Sequence, residues 1–339
     1  MSARDRLLAV LVAVVWGVNY LAVRVGLDHY PPVFMSALRF VVLAVPVVLF
    51  VPWPKVKVRW LVLYGLGYGV LQFGLLFLAM DQGMPAGQAS VVVEASAPFT
   101  VLLGLLLGER VTGRQVVGIV LAAAGLTAIA VERARGAALL PLVLTLLAAL
   151  GWALGNIAGR KARPDHPLRF ALWMSVVPPL PLLALSAILE GPTTGWRAFG
   201  ASFSAEGVPG LVALLYAALA GSVVGAGIWT ILLKRYEAGT VAPFSMLVPV
   251  VGVAVSWIFL DEHLSASSAV ASTAIVAGVL VGSTTRRPSP ADRAGDPAGE
   301  PEPAHEPAPA SDVTDAPDAP AAPGQSSAPA SPAQKTQRS

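Results

Sequence analysis

Long apolar stretches recur along the chain at the length of membrane-spanning helices. Crossing the hydrocarbon core of a bilayer takes roughly 20 apolar residues, and short polar segments separate ten stretches of about this length. The pattern predicts an all-α membrane protein with spans at residues 7–27, 33–52, 60–80, 87–108, 113–131, 137–158, 168–189, 209–230, 239–260 and 267–284. Short linkers make consecutive helices antiparallel neighbours. The longer segment 190–208 is predicted to be an exposed loop.

The ten spans form two matching sets of five, offset by about 152 residues. Pro98 and Glu109, toward the end of the fourth span, match Pro249 and Glu262 toward the end of the ninth. An odd number of spans per copy places the second copy upside down, and such inverted repeats are typical of transporters. The predicted units are a first repeat (1–131), a second repeat (137–285) and a tail (286–339).

The basic residues between the spans indicate the orientation. If the N-terminus is cytoplasmic, fourteen Lys and Arg lie on the cytoplasmic side and three, Arg133, Arg135 and Arg197, on the outer side. Lys and Arg are enriched in cytoplasmic loops, so we expect both termini in the cytoplasm. The loop around Asp81 matches Lys234-Arg235 in the second repeat. This exchange of charge agrees with an inverted repeat.

Composition and charge support a membrane protein. The chain is 55% hydrophobic and 13% charged, with a mean hydropathy of +0.68, whereas soluble domains carry about 25% charged residues. The basic residues lie in short loops and form no patch, so nucleic acid is not an expected partner. Without cysteine there is no disulfide or Cys-based metal site, and neither a metal nor a cofactor is predicted. The tail, with 12 prolines in 54 residues, is predicted to be disordered.

Polar side chains inside a bilayer are costly and are therefore candidates for function. At 1.5 Å per residue, Asn19, Arg39 and Glu94 lie at a similar depth, about 9–12 Å from the outer ends of their spans. A buried Glu94 could bind a proton or a substrate ammonium. The alternatives are a structural ion pair between Glu94 and Arg39, or a carboxyl group held neutral by hydrogen bonds between helices. The second repeat has Ser245 at the position of Glu94, so any proton chemistry would be confined to the first repeat.

The prolines of the fourth and ninth spans form a second pair of candidates. Pro98 and Pro249 fall near the midplane and release backbone carbonyls there. Broken helices at matching positions of two repeats indicate a substrate site, and the alternative is a packing kink. Glu109 and Glu262 are expected to organise the turns that follow these spans. The other candidates for substrate binding or coupling are Trp16, Gln72, Trp152 and Asn156.

Several of these motifs together resemble the EamA family of the drug/metabolite transporter superfamily, over residues 5–285. Trp16-Gly17-Val18-Asn19 and the Gly-Met-Pro-Ala-Gly loop (83–87) carry the resemblance in the first repeat, and Leu-Val-Pro-Val-Val-Gly (247–252) carries it in the second. The set looks closest to the O-acetylserine/cysteine exporter branch. This resemblance implies a carrier in the bacterial inner membrane that exports small neutral amino-acid metabolites. Glu94, where that branch has an uncharged amide, and the acidic tail depart from the pattern.

The preferred interpretation is a secondary transporter that works by alternating access, with proton antiport through Glu94 as a coupling hypothesis. Its partners would be a small-molecule substrate and the lipid bilayer. The cavity would be lined by spans one to four and six to nine, while spans five and ten would pack outside or form a homodimer contact. Alternatives are an uptake or drug-efflux carrier, a passive channel and an intramembrane enzyme. An enzyme needs a nucleophile–base pair or a metal cluster inside the membrane, but all four histidines fall in loops or the tail.

Overall fold

Ten helices long and apolar enough to cross a membrane make up the described part of the chain, residues 1–136, 138–236 and 238–283 of a computed structural model. In chain order, α1 to α10 are Ala3–Leu27, Pro32–Phe50, Val58–Asp81, Ala86–Leu106, Gly113–Arg135, Leu140–Ala162, Pro167–Leu189, Val208–Arg235, Pro243–Leu260 and Ala266–Ser283. Each helix overlaps its predicted span, so the all-α, ten-helix prediction is confirmed. The tail predicted to be disordered lies outside the described residues.

The helices begin where local chemistry favours a helix start. Ser2 caps α1, because its hydroxyl accepts a hydrogen bond from the Asp5 N–H at 3.1 Å. Helices α2 and α7 begin at Pro32 and Pro167, where a missing N–H leaves no helical hydrogen bond unmade. Many large apolar side chains on the helix surfaces, such as Phe50, stay exposed. These surfaces are suited to contact with lipid.

Irregular helical turns repeat between the two halves. Ten-residue π-helical segments, Gly65–Gly74 in α3 and Tyr216–Gly225 in α8, start and end at equivalent positions. A 3₁₀ turn, Val93–Ala95, interrupts α4, and another, Ala242–Met246, forms the first turn of α9. The repeat relationship therefore extends to the places where the helices are distorted.

Proline accounts for the position of the 3₁₀ turns. A proline has no N–H for the carbonyl four residues earlier. For Pro98 and Pro249 those carbonyls belong to Glu94 and Ser245, and both residues lie in the 3₁₀ turns. The tighter hydrogen-bond pattern of a 3₁₀ turn accommodates this loss. Two predicted site residues therefore sit at the irregular turns.

The two repeats interlock. Helix α1 of the first repeat packs on α8 and α9, and α6 of the second repeat packs on α3 and α4. Helices α5 and α10 pack on each other, so closely that a Cβ at Gly118 would lie 2.4 Å from the carbonyl oxygen of Gly278. Both sets of contacts bring backbones together through small residues, as is common between membrane helices.

Two segments differ from the sequence prediction. The predicted exposed loop 190–208 contains a short helix, Thr194–Ala201. Trp196 of this helix makes an edge-to-face contact with Phe34 of α2, with ring centres 5.1 Å apart. This contact anchors one side of the helix, although the Trp196 side chain remains 54% exposed. Helix α7 is interrupted between Met174 and Pro179, where consecutive prolines remove helical N–H donors.

Candidate functional site

Arg39 lies in the interior between the two repeats and is only 4% exposed. Its Nη2 donates a hydrogen bond to the Ser222 hydroxyl on α8 at 3.0 Å. Its guanidinium carbon lies 3.9 Å from the centre of the Phe73 ring on α3, a cation–π contact. The other two nitrogens, Nε and Nη1, have no hydrogen-bond partner among the described residues. Arg39 therefore offers two donor nitrogens without a partner among the described residues.

Asn19 approaches the same part of α8. A Cβ at Gly221 would lie 3.2 Å from Asn19 Oδ1 and 3.8 Å from Arg39 Nη2. The absence of a side chain at Gly221 therefore lets the amide and the guanidinium come close to the α8 backbone. Trp16, one turn earlier on α1, donates from Nε1 to the Gly221 carbonyl at 2.8 Å. Asn19 Oδ1 has no partner in the described part of the chain.

Glu94 is buried in the 3₁₀ turn of α4, one turn before Pro98, and is 7% exposed. Its carboxylate and the Tyr20 hydroxyl lie within electrostatic range of each other, and Tyr20 is also within range of Arg39. Of the ion pairs within the described residues, none joins Glu94 to Arg39. The structural ion pair considered from sequence is therefore wrong. The guanidinium instead packs against α3 and α8 through Phe73 and Ser222.

Aromatic contacts connect the first helix of the second repeat to this cluster. The Trp152 ring on α6 lies 5.9 Å from Tyr68, and Tyr68 lies 5.3 Å from Phe73, which faces Arg39. Gln72, on the same π segment as Phe73, is buried, and its Oε1 has no partner in the described chain. Trp152 and Gln72 therefore border the cluster on the α3 side.

The remaining predicted residues mainly join helices. Asn156 Nδ2 donates to the Thr100 hydroxyl on α4 at 3.2 Å. The carbonyl of Pro249 accepts a long hydrogen bond, 3.5 Å, from the Ser90 hydroxyl. Ser245 lies in the 3₁₀ turn before Pro249. The two hydrogen bonds join α4 to α6 and α4 to α9.

The two glutamates at the ends of α4 and α9 have different partners. Both Glu262 carboxylate oxygens accept hydrogen bonds from the start of α4, from the N–H groups of Ala86 and Gly87 at 3.0 Å each. Glu109 pairs with Arg160 at 3.1 Å. Sequence reasoning assigned both side chains to their own turns, but these interactions go to other helices.

Sequence reasoning did not identify Tyr20, Tyr68, Phe73, Gly221 or Ser222 as parts of the site. Aromatic and small residues are ordinary in membrane spans, so their presence carries no polarity signal. Only the fold places them beside Arg39 and Glu94. Among the described residues, no group of three His, Cys, Asp or Glu side chains is arranged to hold a metal ion.

The chemical capacity of the cluster follows from its unpaired groups. A guanidinium donates two parallel hydrogen bonds to a carboxylate, and Arg39 retains Nη1 and the second N–H of Nη2 for such a pair. Asn19 Oδ1 and the Glu94 carboxylate are acceptors suited to an ammonium group. The residues therefore provide a basic and an acidic group that are both buried and both within electrostatic range of Tyr20.

Known proteins resemble this chain over nearly its whole helical part. The model of the EamA-like transporter family matches residues 6–131 and 139–284. A "Probable amino-acid metabolite efflux pump" of Escherichia coli (strain K12) is 40% identical over 289 residues, covering 83% of this chain and 95% of that protein. A protein of the same name from Salmonella typhimurium is 39% identical, covering 83% and 95%.

Two more distant matches agree with this assignment. A "Probable terminal-alkyne amino-acid exporter" of Streptantibioticus cattleyicolor is 26% identical, covering 80% of this chain and 91% of that protein. A crystal structure with 20% sequence identity covers 84% of this chain and 97% of its own, with a TM-score of 0.54, and supports the fold alone. The two family matches correspond to the two sets of five helices and identify a multi-pass membrane transporter, not an intramembrane enzyme. The chain belongs to the EamA-like transporter family.

Proposed function

We propose that this chain exports small neutral amino-acid metabolites, of the cysteine or O-acetylserine type, across the bacterial inner membrane by alternating access. The names of the two relatives near 40% identity support an amino-acid metabolite as substrate. The observation that carries the proposal is the central cluster, in which buried Arg39 and Glu94 do not pair with each other. A zwitterion offers each of them a partner.

The proposed binding mode assigns one pole of the substrate to each part of the cluster. The substrate carboxylate binds Arg39 through Nη1 and the second N–H of Nη2, while the first N–H of Nη2 stays on Ser222. The ammonium group binds Asn19 Oδ1 and the Glu94 carboxylate. Buried charges are costly without partners, and a zwitterion compensates both at once. A short side chain suits a site bordered by Phe73 and by the aromatic contacts beyond it.

The irregular turns supply places where helices can bend during transport. The π segments of α3 and α8 and the 3₁₀ turns next to Pro98 and Pro249 lie at equivalent positions of the two repeats. Such segments are frequent at functional sites, and helices kink where their hydrogen-bond ladder is interrupted. In alternating access the two repeats would bend at these turns in opposite senses around the fixed cluster.

Export from cells tests the proposal. Cells overexpressing the chain and loaded with labelled cysteine or O-acetylserine are expected to release the label faster than cells with an empty vector. Arg39→Ala is expected to abolish the difference, and Arg39→Lys to restore only part of it, because Lys lacks the planar pair of donors. Equal release by cells with and without the protein would contradict the proposed substrates.

Coupling to protons through Glu94 is the second part of the proposal. A carboxyl group that alternates between dry and wet surroundings exchanges a proton, because desolvation penalises its charged form. Proteoliposomes with an imposed pH gradient are expected to accumulate substrate with the natural protein and not with Glu94→Gln. Transport by Glu94→Gln that equals the natural rate at every pH would remove proton antiport through this residue.

The same assays distinguish the proposed export from the other substrates and transport modes that the sequence left open. The similarity to an exporter of terminal-alkyne amino acids favours an amino-acid substrate. Amino acids with side chains of increasing length are therefore the first substrates to compare. A gain in accumulation inside cells would indicate uptake, and resistance to drugs without amino-acid export would indicate drug efflux. Flux that rises without saturation would indicate a channel and contradict a carrier.

A further inference from the structure

Two acidic side chains of the second repeat hold the starts of two helices of the first repeat. Glu190, which follows α7, accepts hydrogen bonds from the N–H groups of Val33 at 2.6 Å and Phe34 at 3.0 Å. Glu262, which follows α9, binds the N–H groups at the start of α4 in the same way. Each glutamate uses both carboxylate oxygens. Both contacts lie on the face with few basic residues, predicted above to be the outer one.

The two helices lack a capping group of their own at these ends. The first N–H groups of a helix have no intrahelical partner and carry partial positive charge. The residues preceding α2 and α4 are Pro31 and Pro85, and neither provides a side-chain cap. Carboxylates from the other repeat therefore satisfy these donors with charge-assisted hydrogen bonds, which are stronger than neutral ones. Ser186 steadies Glu190 with a further hydrogen bond of 2.6 Å.

The opposite face is arranged differently. Glu109 is the repeat equivalent of Glu262, but its carboxylate pairs with Arg160 at 3.1 Å. Both side chains of this pair are about half exposed, 45% for Glu109 and 51% for Arg160. Among the described residues, Glu109 thus takes part in an exposed ion pair, whereas Glu262 binds two N–H groups at a helix start.

We propose that Glu190 and Glu262 form an outer clamp that holds the carrier closed to the outside and releases when the carrier opens outward. The alternating-access part of the proposed function supplies the cycle in which the clamp acts. Moving α2 and α4 away from α7 and α9 breaks four hydrogen bonds and exposes two helix starts. The clamp therefore sets how often the outer side opens.

Thiol labelling tests the clamp without any assumption about the substrate. The chain has no cysteine, so Ser90→Cys gives a single reporter at a position that is fully buried next to the start of α4. A membrane-impermeant maleimide added outside is expected to label it about tenfold faster in Glu262→Gln and in Glu190→Gln, because an amide replaces one acceptor by a donor. Glu109→Gln is the matched control, expected to label at the unmodified rate.

Unchanged labelling of the reporter in both clamp variants would overturn the proposal. Because this measurement needs no transported solute, its failure differs from failure of the proposed substrates. A rise in Glu109→Gln equal to that in Glu262→Gln would also contradict a clamp confined to the outer face.

A disulfide across the clamp gives a second test. A Cβ at Gly87 would lie 3.3 Å from the Ser256 Cβ on α9, near the separation of about 3.5–4.5 Å found in disulfides. In the Gly87→Cys/Ser256→Cys double variant, oxidation is expected to cross-link α4 to α9 and stop export, and reduction to restore it. Each single variant controls for the substitutions. Failure of the cross-link to form would contradict the clamp. So would export by the fully cross-linked protein at the rate of the same protein before oxidation.

Discussion

Arg39 is held from the opposite repeat by Ser222, which makes this serine a positioning residue for the proposed carboxylate site. Ser222→Ala removes the acceptor of Nη2 and leaves the guanidinium free to turn. We expect KM to rise roughly tenfold with little change in kcat, since a hydrogen bond to a charged group contributes about 1.5–3 kcal/mol. Saturation kinetics in proteoliposomes measure this split.

Ser222→Thr provides the matched control, because it keeps the hydroxyl. Its KM is expected to stay close to that of the natural protein. If the Ala and Thr variants have the same KM, the hydroxyl does not position Arg39.

Gly221 is the residue where α8 comes closest to the polar groups of α1 and α2. A Cβ there would lie 3.2 Å from Asn19 Oδ1, so Gly221→Ala pushes the amide or the helix away from the site. Overpacking of a tight contact costs about 1–3 kcal/mol, and we expect export to fall about tenfold with normal membrane insertion. Gly227→Ala on the same helix, where an added Cβ meets no atom within 4 Å, is expected to transport normally. Equal activity of the two variants would contradict this role.

The residues of the site were only partly predictable from the sequence. Asn19, Arg39 and Glu94 stand out because a polar group in a span is costly, and the fold brings Asn19 and Arg39 to the same glycine, Gly221. The side chains that they contact could not be predicted from the sequence, since the depth of a residue along a helix does not determine which face its side chain occupies. Arg39 therefore meets Ser222 and Phe73, and not Glu94.

Among the elements, α4 combines a proline with the buried acid of the site. Pro98→Ala supplies an N–H that can bond to the Glu94 carbonyl and convert the 3₁₀ turn to a regular helix. We expect a higher unfolding temperature in detergent, because proline within a helix costs about 3 kcal/mol, together with slower export. Pro46→Ala in α2 is the control: it relieves a helix proline at an exposed position and is expected to leave export unchanged. Faster export by Pro98→Ala would contradict a functional turn.

Helices α5 and α10 owe their contact to glycines. A Cβ at Gly118 would lie 2.4 Å from the Gly278 carbonyl oxygen, so Gly118→Ala forces the two backbones apart. The expected destabilisation is about 1–3 kcal/mol, seen as a lower unfolding temperature in detergent. Gly113→Ala at the start of α5 meets no atom within 4 Å and is the control. Identical unfolding temperatures for the two variants would contradict this packing.

Sequence patterns locate elements better than they locate distortions. Length and apolarity determine a span, so all ten helices were predicted. The π segments Gly65–Gly74 and Tyr216–Gly225 have no such signature, because their hydrogen-bond pattern depends on the neighbouring helices. The short helix Thr194–Ala201 was missed since it is too short for periodicity to be read and is anchored by a contact from Trp196 to α2.

At the scale of the whole molecule, the two repeats are mutually dependent. The first helix of each repeat packs on the third and fourth helices of the other. Specific hydrogen bonds cross between the repeats, from Trp16 to Gly221 and from Asn156 to Thr100. In a membrane, such packing and hydrogen bonds drive helix association, because lipid removes the hydrophobic force between helices. Neither repeat alone can satisfy these groups.

A break between the repeats tests this dependence. Two chains, residues 1–136 and 138–339, carry five predicted spans each and must insert in opposite orientations. Co-expressed, they are expected to purify together and to restore part of the export of the intact chain. Expressed alone, each is expected to be degraded or to aggregate, because α1 or α6 has lost the helices it packs on. Trp16→Phe in the first half removes the donor to Gly221 and is expected to reduce co-purification. A stable, monodisperse half that exports substrate without its partner would contradict the interlocked arrangement.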